Sequence, residues 1–216
     1  MNTTLNPPPL VILGASGHAH VVCDIALLLG LEVEAFAETT PRQRHFLGRP
    51  ILTEADVLQR PPGSPVFVGI GNPRVRRALT GRCLDAGLSL ATLIHPTAVV
   101  AHDVVIGSGS VVMARAVINP GTQIGSNVII NTGAVVDHDC VLGDLVHICP
   151  GSTLAGTVSV GEGTWIGAGA TASNNVHIGR WTMVGAGGVV VHDLPDDVIA
   201  YGVPAAIKRH GRYFSP

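Results

Sequence analysis

Every sixth residue from Ile94 to Val190 is aliphatic, seventeen positions in succession, and only Ala172 among them is smaller than valine. Helices repeat every 3.6 residues and sheet strands every two, so a sustained hexad fits neither. It fits a coiled β-solenoid, with three hexapeptides closing one triangular turn and residues eighteen apart stacked directly over one another. Stacked turns lie about 4.8 Å apart, which makes a short prism of about five to six coils. The aliphatic column fills its interior. Glycine follows the aliphatic position at Gly107, Gly125, Gly143, Gly161, Gly167, Gly179 and Gly185. Four residues after the aliphatic position the side chain is small or β-branched, as at Ser110, Ala116, Thr122, Ala134 and Cys140. The hexad never slips, so no long loop leaves the coil to build a pocket. A substrate site must therefore draw on the preceding residues or on a neighbouring copy. Flat faces of Val and Ile favour such side-by-side association.

Residues 10–93 are organised differently. Leu10-Val11-Ile12-Leu13 is an apolar run that ends in Gly14-Ala15-Ser16-Gly17, and a helix-like stretch follows through about Leu29. Glu32 to Phe36 alternates as a strand does, Pro65 to Ile70 reads as a buried strand, and Pro73 to Ala86 as a helix. Strand, glycine turn, helix, strand is the opening of a doubly wound α/β unit. The expected organisation is a small Rossmann-like α/β domain over residues 1–93. A hexapeptide β-helix follows over 94–216, with a C-terminal tail.

Several function classes recede on composition. Of 216 residues only 13% are charged, and the formal net charge is −2, without the basic excess of a nucleic-acid-binding surface. No stretch reaches the length of a membrane span. Met1 to Pro9 lacks a basic n-region followed by an apolar run, so a cytoplasmic protein is expected. Cys23, Cys83, Cys140 and Cys149 form no CxxC pair and read as reduced core thiols. The ten histidines raise the question of zinc. However, His102 and His138 are two coils apart, hence roughly 10 Å, too far to share one ion. No metal is expected.

The strongest chemical candidate is Asp137-His138-Asp139. Imidazole is suited to taking a proton near neutral pH, and an adjacent carboxylate can orient it and stabilise its cation. Either aspartate can fill that role. Pro120 lies one coil below His138 and Gly156 one coil above, where a glycine leaves space beside the ring and an amide N–H for an oxyanion. His147, Trp165 and Met183 form another eighteen-residue column. It serves either as packing between subunits or as a wall for the pantetheine arm of a cofactor. The Gly14–His18 turn can present amides to a phosphate at a helix N-terminus, although its spacing is not GxGxxG. Glu38 can reach a ribose or base edge, and Asn72 and Arg74 follow another strand end where doubly wound folds bind ligands. Lys208 and Arg209 form a basic pair near the C-terminus, either for a coenzyme phosphate or as a solvated tail.

With these motifs in view, the chain resembles the hexapeptide acyltransferases with left-handed β-helices. More narrowly it is similar to the PglD-type nucleotide-sugar N-acetyltransferases and their sialic acid O-acetyltransferase relatives. The likeness rests on Gly14-Ala15-Ser16-Gly17-His18, Gly69-Ile70-Gly71-Asn72, Leu93-Ile94-His95-Pro96, Asn131-Thr132, Asp137-His138-Asp139, His147, Ala155-Gly156 and Gly202-Val203-Pro204-Ala205. It implies a homotrimer with acetyl-CoA between adjacent β-helices and a nucleotide-linked 4-amino-4,6-dideoxy sugar as acceptor. It implies His138 as general base, Asp139 as its carboxylate and the Gly156 amide as a donor to the thioester carbonyl. Asn131, His147, Ala168 and Ala186 match coenzyme positions, and Gly14, Ser16, Gly17, His18 and Glu38 the nucleotide-sugar side. Where the family often has a basic residue after Gly-Val-Pro-Ala, this chain has Ala206; either Lys208 or Arg209 replaces that contact, or the contact is missing, and Lys208 is the candidate. O-acetylation of a free sugar such as sialic acid is the alternative.

Overall fold

The computed structural model describes residues 8–211 and 213. Most of Met1 to Pro9, on which the absence of a leader was read, lies outside them. The chain forms two compact units. One comprises the residues up to Gly71 with Ala78–Ala91, and the other Asn72–Arg77 with the residues from Thr92 onward.

The first unit is a six-stranded sheet. Its strands are β1 (Leu10–Leu13), β2 (Val33–Glu38), β3 (His45–Phe46), β4 (Arg49–Thr53), β5 (Pro65–Val68) and β6 (Ser89–Leu90), in the order β3-β4-β2-β1-β5-β6. All neighbours are parallel except β3 and β4. The central β1 is buried at all four residues, as a strand covered on both faces must be. Helix α1 (Gly17–Leu28) follows the glycine turn, and α3 (Pro73–Asp85) follows β5. Between them the structure adds a hairpin and a short helix, α2 (Glu54–Leu58), that the hydrophobic pattern did not announce. A reciprocal capping box starts α2. The Asp56 N–H donates to Thr53 Oγ1 and the Thr53 N–H to Asp56 Oδ2, both 3.2 Å.

The second unit contains seventeen two-residue strands, β7 (Leu93–Ile94) to β23 (Val189–Val190), and the second residue of each is the hexad aliphatic. Parallel pairing at eighteen-residue steps (Val111 with Ile129, His147 with Trp165) stacks them into three sheets, the arrangement of a left-handed parallel β-helix. Ile130, Val136, Ile148, Leu154, Ile166 and Val184 are fully buried in its interior. A hairpin of β24 (Val198–Tyr201) and β25 (Ala206–His210) extends the first sheet at its far end.

Two features of the corners explain the glycine pattern. Every sixth residue from Gly109 to Gly187 has a left-handed φ between 53° and 75°, and half of these fourteen are glycines. The glycines directly after the aliphatic position do something else. A Cβ on Gly125 would lie 2.7 Å from Asp144 N, and one on Gly161 2.6 Å from Arg180 N, so successive backbones touch there. The small residues four after the aliphatic position turn inward. Where they carry hydroxyls, these bridge coils, as Thr164 does by donating to Gly179 O (2.6 Å) and accepting from Thr182 N (3.0 Å).

Arg76 is the largest fully buried side chain. Its Nε donates to Asn127 O (3.0 Å) and Nη2 to Leu145 O (2.7 Å), both carbonyls of left-handed corner residues stacked eighteen apart. Burial pulls its pKa down to about 9, which still leaves the guanidinium charged at neutral pH. Among the described residues no helix is long and apolar enough to cross a membrane.

Candidate functional site

In the solenoid the Asp137–Asp139 turn sits at the corner between the second and third faces. Asp139 holds the left-handed conformation of that corner (φ 57°), one that aspartate tolerates better than most residues. The turn brings its carboxylate back onto the preceding ring, where His138 Nδ1–H donates to Asp139 Oδ2 at 2.9 Å. This leaves Nε2 as the proton acceptor. The bond to Asp139 raises the imidazole pKa above its ordinary value, since it favours the cation. Asp137 is engaged elsewhere. Its Oδ1 accepts from Asn119 Nδ2 (2.7 Å) and from the backbone N–H of His138 (2.8 Å), and these bonds hold its carboxyl below the usual range. Of the two carboxylates, Asp139 is therefore the one bonded to the ring.

Glycines bracket this pair. A Cβ on Gly156 would lie 2.4 Å from His138 Nε2, and one on Gly121 2.2 Å from Asp139 Oδ1. The ring thus lies flush against the Gly156 backbone, with its basic nitrogen nearest to it. Gly121, one coil below Asp139, has no counterpart among the residues singled out from sequence. Its signal was available in the eighteen-residue spacing.

The coenzyme candidates gather at a different corner. Asn131 Nδ2 and His147 Nε2 lie 3.1 Å apart, and the His147 ring meets Trp165 edge to face with centroids at 4.7 Å. His147 is nearly buried. Alongside runs the corner between the first and second faces, built from Thr132-Gly133, Pro150-Gly151, Ala168-Gly169 and Ala186-Gly187. A Cβ on Gly133, Gly151, Gly169 or Gly187 would meet nothing within 4 Å. The result is an open strip of small residues along the solenoid axis, a fit for a narrow, extended arm bonded through backbone groups. Lys208 stands on exposed β25, its Nζ 5.6 Å from the Tyr201 ring centroid.

In the α/β unit, Gly14 (φ 112°) ends β1 with no room for a side chain. A Cβ there would lie 3.0 Å from Gly69 O. Ser16 is the N-cap residue of α1, but its hydroxyl makes no capping bond, and a Cβ on Gly17 would meet nothing within 4 Å. The helix N-terminus at Ser16 and Gly17 is thus exposed, with no capping bond from the Ser16 hydroxyl. Glu38 closes β2, half-buried. Asn72 stands in the other unit, where its Oδ1 caps α3 by accepting from Arg74 N (3.0 Å). Among the described residues no group of three or more His, Cys, Asp or Glu side chains is arranged to hold a metal ion.

Two family models match segments of the chain. Residues 9–83 match the PglD N-terminal domain, and residues 121–156 match the bacterial transferase hexapeptide of six repeats. Comparison with curated proteins gives no match. Among solved structures, a point mutant of perosamine N-acetyltransferase from Caulobacter crescentus, in complex with CoA and GDP-perosamine, is 47% identical. That match covers 93% of this chain and 97% of the other, with a TM-score of 0.89. The acetyltransferase domain of PglB from Neisseria gonorrhoeae FA1090, in complex with acetyl coenzyme A, is 38% identical over 92% of this chain and 98% of the other (TM-score 0.87). WeeI from Acinetobacter baumannii AYE is 27% identical over 92% and 99% (TM-score 0.77). The chain belongs to the PglD-type hexapeptide-repeat family of nucleotide-sugar N-acetyltransferases.

Proposed function

We propose that this protein transfers the acetyl group of acetyl-CoA to the amine of a nucleotide-linked 4-amino-4,6-dideoxy sugar, with guanosine as the base. The observation that carries the reading is the His138–Asp139 pair lying against Gly156. It leaves one basic nitrogen, Nε2, uncommitted to the carboxylate and packed against the Gly156 backbone. The likeness to proteins complexed with CoA and GDP-perosamine supports the acceptor class. Acetyl-CoA, when bound, supplies its acetyl group as a thioester open to direct attack by the amine, with no acyl-enzyme required. His138 Nε2 takes the proton that the amine loses as the C–N bond forms; the thioester C–S bond then breaks, and CoA leaves as a thiolate that takes up a proton. Asp139 keeps Nδ1 protonated and stabilises the resulting imidazolium. The Gly156 amide is assigned to the oxyanion, and Gly14, Ser16, Gly17, His18, Glu38 and Asn72 to the nucleotide sugar. Asn131, His147, Ala168 and Ala186 line the pantetheine strip, and Lys208 meets a coenzyme phosphate.

The dyad and the strip occupy different corners of the same triangular coil. One chain alone does not set them face to face, which supports a trimer in which neighbouring β-helices share each site. Thermal shifts with GDP, UDP and dTDP, each with and without CoA, test the assignment, since a ligand that binds the folded state raises Tm. Selective stabilisation by GDP and a separate CoA shift are expected. A CoA shift with no nucleotide response overturns the acceptor class in favour of a free-sugar O-acetyltransferase. Nucleotide binding without CoA binding overturns the enzymatic reading in favour of a nucleotide-sugar sensor or scaffold.

A further inference from the structure

The corner one coil below the dyad is built as a seat for it. Four consecutive residues there, Asn119 to Thr122, each meet the Asp137–Asp139 turn. Asn119 Nδ2 donates to Asp137 Oδ1 (2.7 Å), Pro120 O accepts from Asp139 N (2.9 Å) and Thr122 Oγ1 donates to Asp137 O (2.9 Å). Gly121 leaves the space that the Asp139 carboxylate fills. The backbone part of this pattern belongs to the repeat, because Gly151 N donates to Thr132 O and Thr157 N to His138 O in the same way. The Thr122 hydroxyl bond recurs as well, since Ser110 donates to Gly125 O and Thr164 to Gly179 O, but the Asn119–Asp137 bond does not. At eighteen-residue steps the column reads Ala101, Asn119, Asp137, Ala155, Ser173 and Val191, so its one amide–carboxylate pair stands at the histidine. Alanine at two of the six positions and valine at a third show that the coil closes without it.

We propose that Asn119 is a positioning residue for the reaction, acting through Asp137 to decide which of the two aspartates holds His138. Asp137 Oδ1 accepts two bonds, from Asn119 and from the His138 N–H, and together these turn its carboxylate toward its own backbone and away from the ring. The charged groups on this turn are Asp137 and Asp139. Asp103 sits one coil further down, with its Oδ2 occupied by the Gly121 N–H (3.0 Å). With Asp137 clamped, Nδ1–H has Asp139 as its partner, and the ring keeps the tautomer that presents Nε2. Without Asn119, Asp137 is free to rotate and compete for the same proton, and the ring loses its single orientation.

This inference rests on His138 being the base, so its test carries a readout that does not depend on turnover. Asn119→Ala, Asp137→Ala and Asp137→Asn are compared with wild type and with His138→Ala in full-length protein. The readouts are kcat, KM for both substrates, and the imidazole tautomer of His138 from nitrogen-15 NMR. Since small misplacements of a catalytic group are costly, Asn119→Ala and Asp137→Ala are expected to lower kcat about tenfold with KM nearly unchanged. The share of the Nδ1–H tautomer falls with it. Asp137→Asn retains an acceptor oxygen for both bonds and recovers most of the loss. Wild-type tautomer and kcat in Asn119→Ala overturn the proposal, as does a loss of kcat with the tautomer unmoved. If Asn119→Ala does not fold, the Asp137 pair decides by the same criteria. If instead His138→Ala keeps its activity, the base assignment fails, and the tautomer alone still decides what Asn119 does.

Discussion

At the scale of single residues, the site depends on what two side chains bond to and on what two glycines lack. His138 carries a raised pKa chiefly because Asp139 accepts its Nδ1–H. A base must be neutral to act, so kcat rises with pH through that pKa, and the acid limb of the profile lies above the ordinary imidazole value of about 6.5. Asp139→Asn removes the charge that favours the cation. The limb then moves to lower pH while the plateau falls, and an unmoved limb in a kcat–pH series would count against His138 as the titrating group. His138→Ala removes the proton acceptor and is expected to lower kcat roughly a hundredfold or more, leaving Kd for the nucleotide sugar unchanged. Gly156→Ala tests the space rather than the acid–base chemistry. Its Cβ would meet Nε2 at 2.4 Å, so the ring must swing off that backbone. Activity is expected to collapse with Tm close to wild type, because the displaced ring is half exposed and costs the core nothing.

At the scale of elements, the glycines separate into those that hold coils together and those that keep a surface clear. Gly161→Ala places a methyl 2.6 Å from the backbone of the next coil and is expected to destabilise by roughly 1–3 kcal/mol, read as a lower Tm. Gly169→Ala meets nothing within 4 Å. It costs about 1–2 kcal/mol for its left-handed φ, and its distinguishing effect falls on CoA affinity. Unchanged CoA affinity in Gly169→Ala would refute the division. The same corners show what was legible in the sequence. The hexad announced the strands, their stacking and the interior column because one residue type was needed at every repeat. The left-handed corner position was not legible, since residues as unlike as Arg115, Leu145, Thr157 and Trp181 occupy it beside glycine. The hairpin of His45–Phe46 with Arg49–Thr53 was missed because its strands are too short to show alternation. His138 and Gly156 could be paired from sequence by counting eighteen. The choice between Asp137 and Asp139 could not, because it turns on a side-chain bond from Asn119.

At the scale of the whole molecule, the proposed reaction requires more than one chain to complete a site. The proton acceptor stands at the corner between the second and third faces, and the Ala168-Gly169 and Ala186-Gly187 strip at the corner between the first and second. A rigid prism keeps these apart, so in the proposed trimer a coenzyme lying on one strip would reach a histidine on the adjacent copy. Two inactive variants can then repair each other. His138→Ala removes the base and keeps the strip, whereas Ala168→Trp blocks the strip and keeps the base. When subunits of the two are unfolded together and refolded as mixed trimers, an active interface needs histidine from the second variant and a strip from the first. Random assortment gives about a quarter of the interfaces that combination. About a quarter of wild-type turnover is therefore expected from the mixture, and essentially none from either variant refolded alone. No recovery in trimers shown by mass to be mixed would mean that base and strip act within one chain, and the shared-site reading would have to be abandoned.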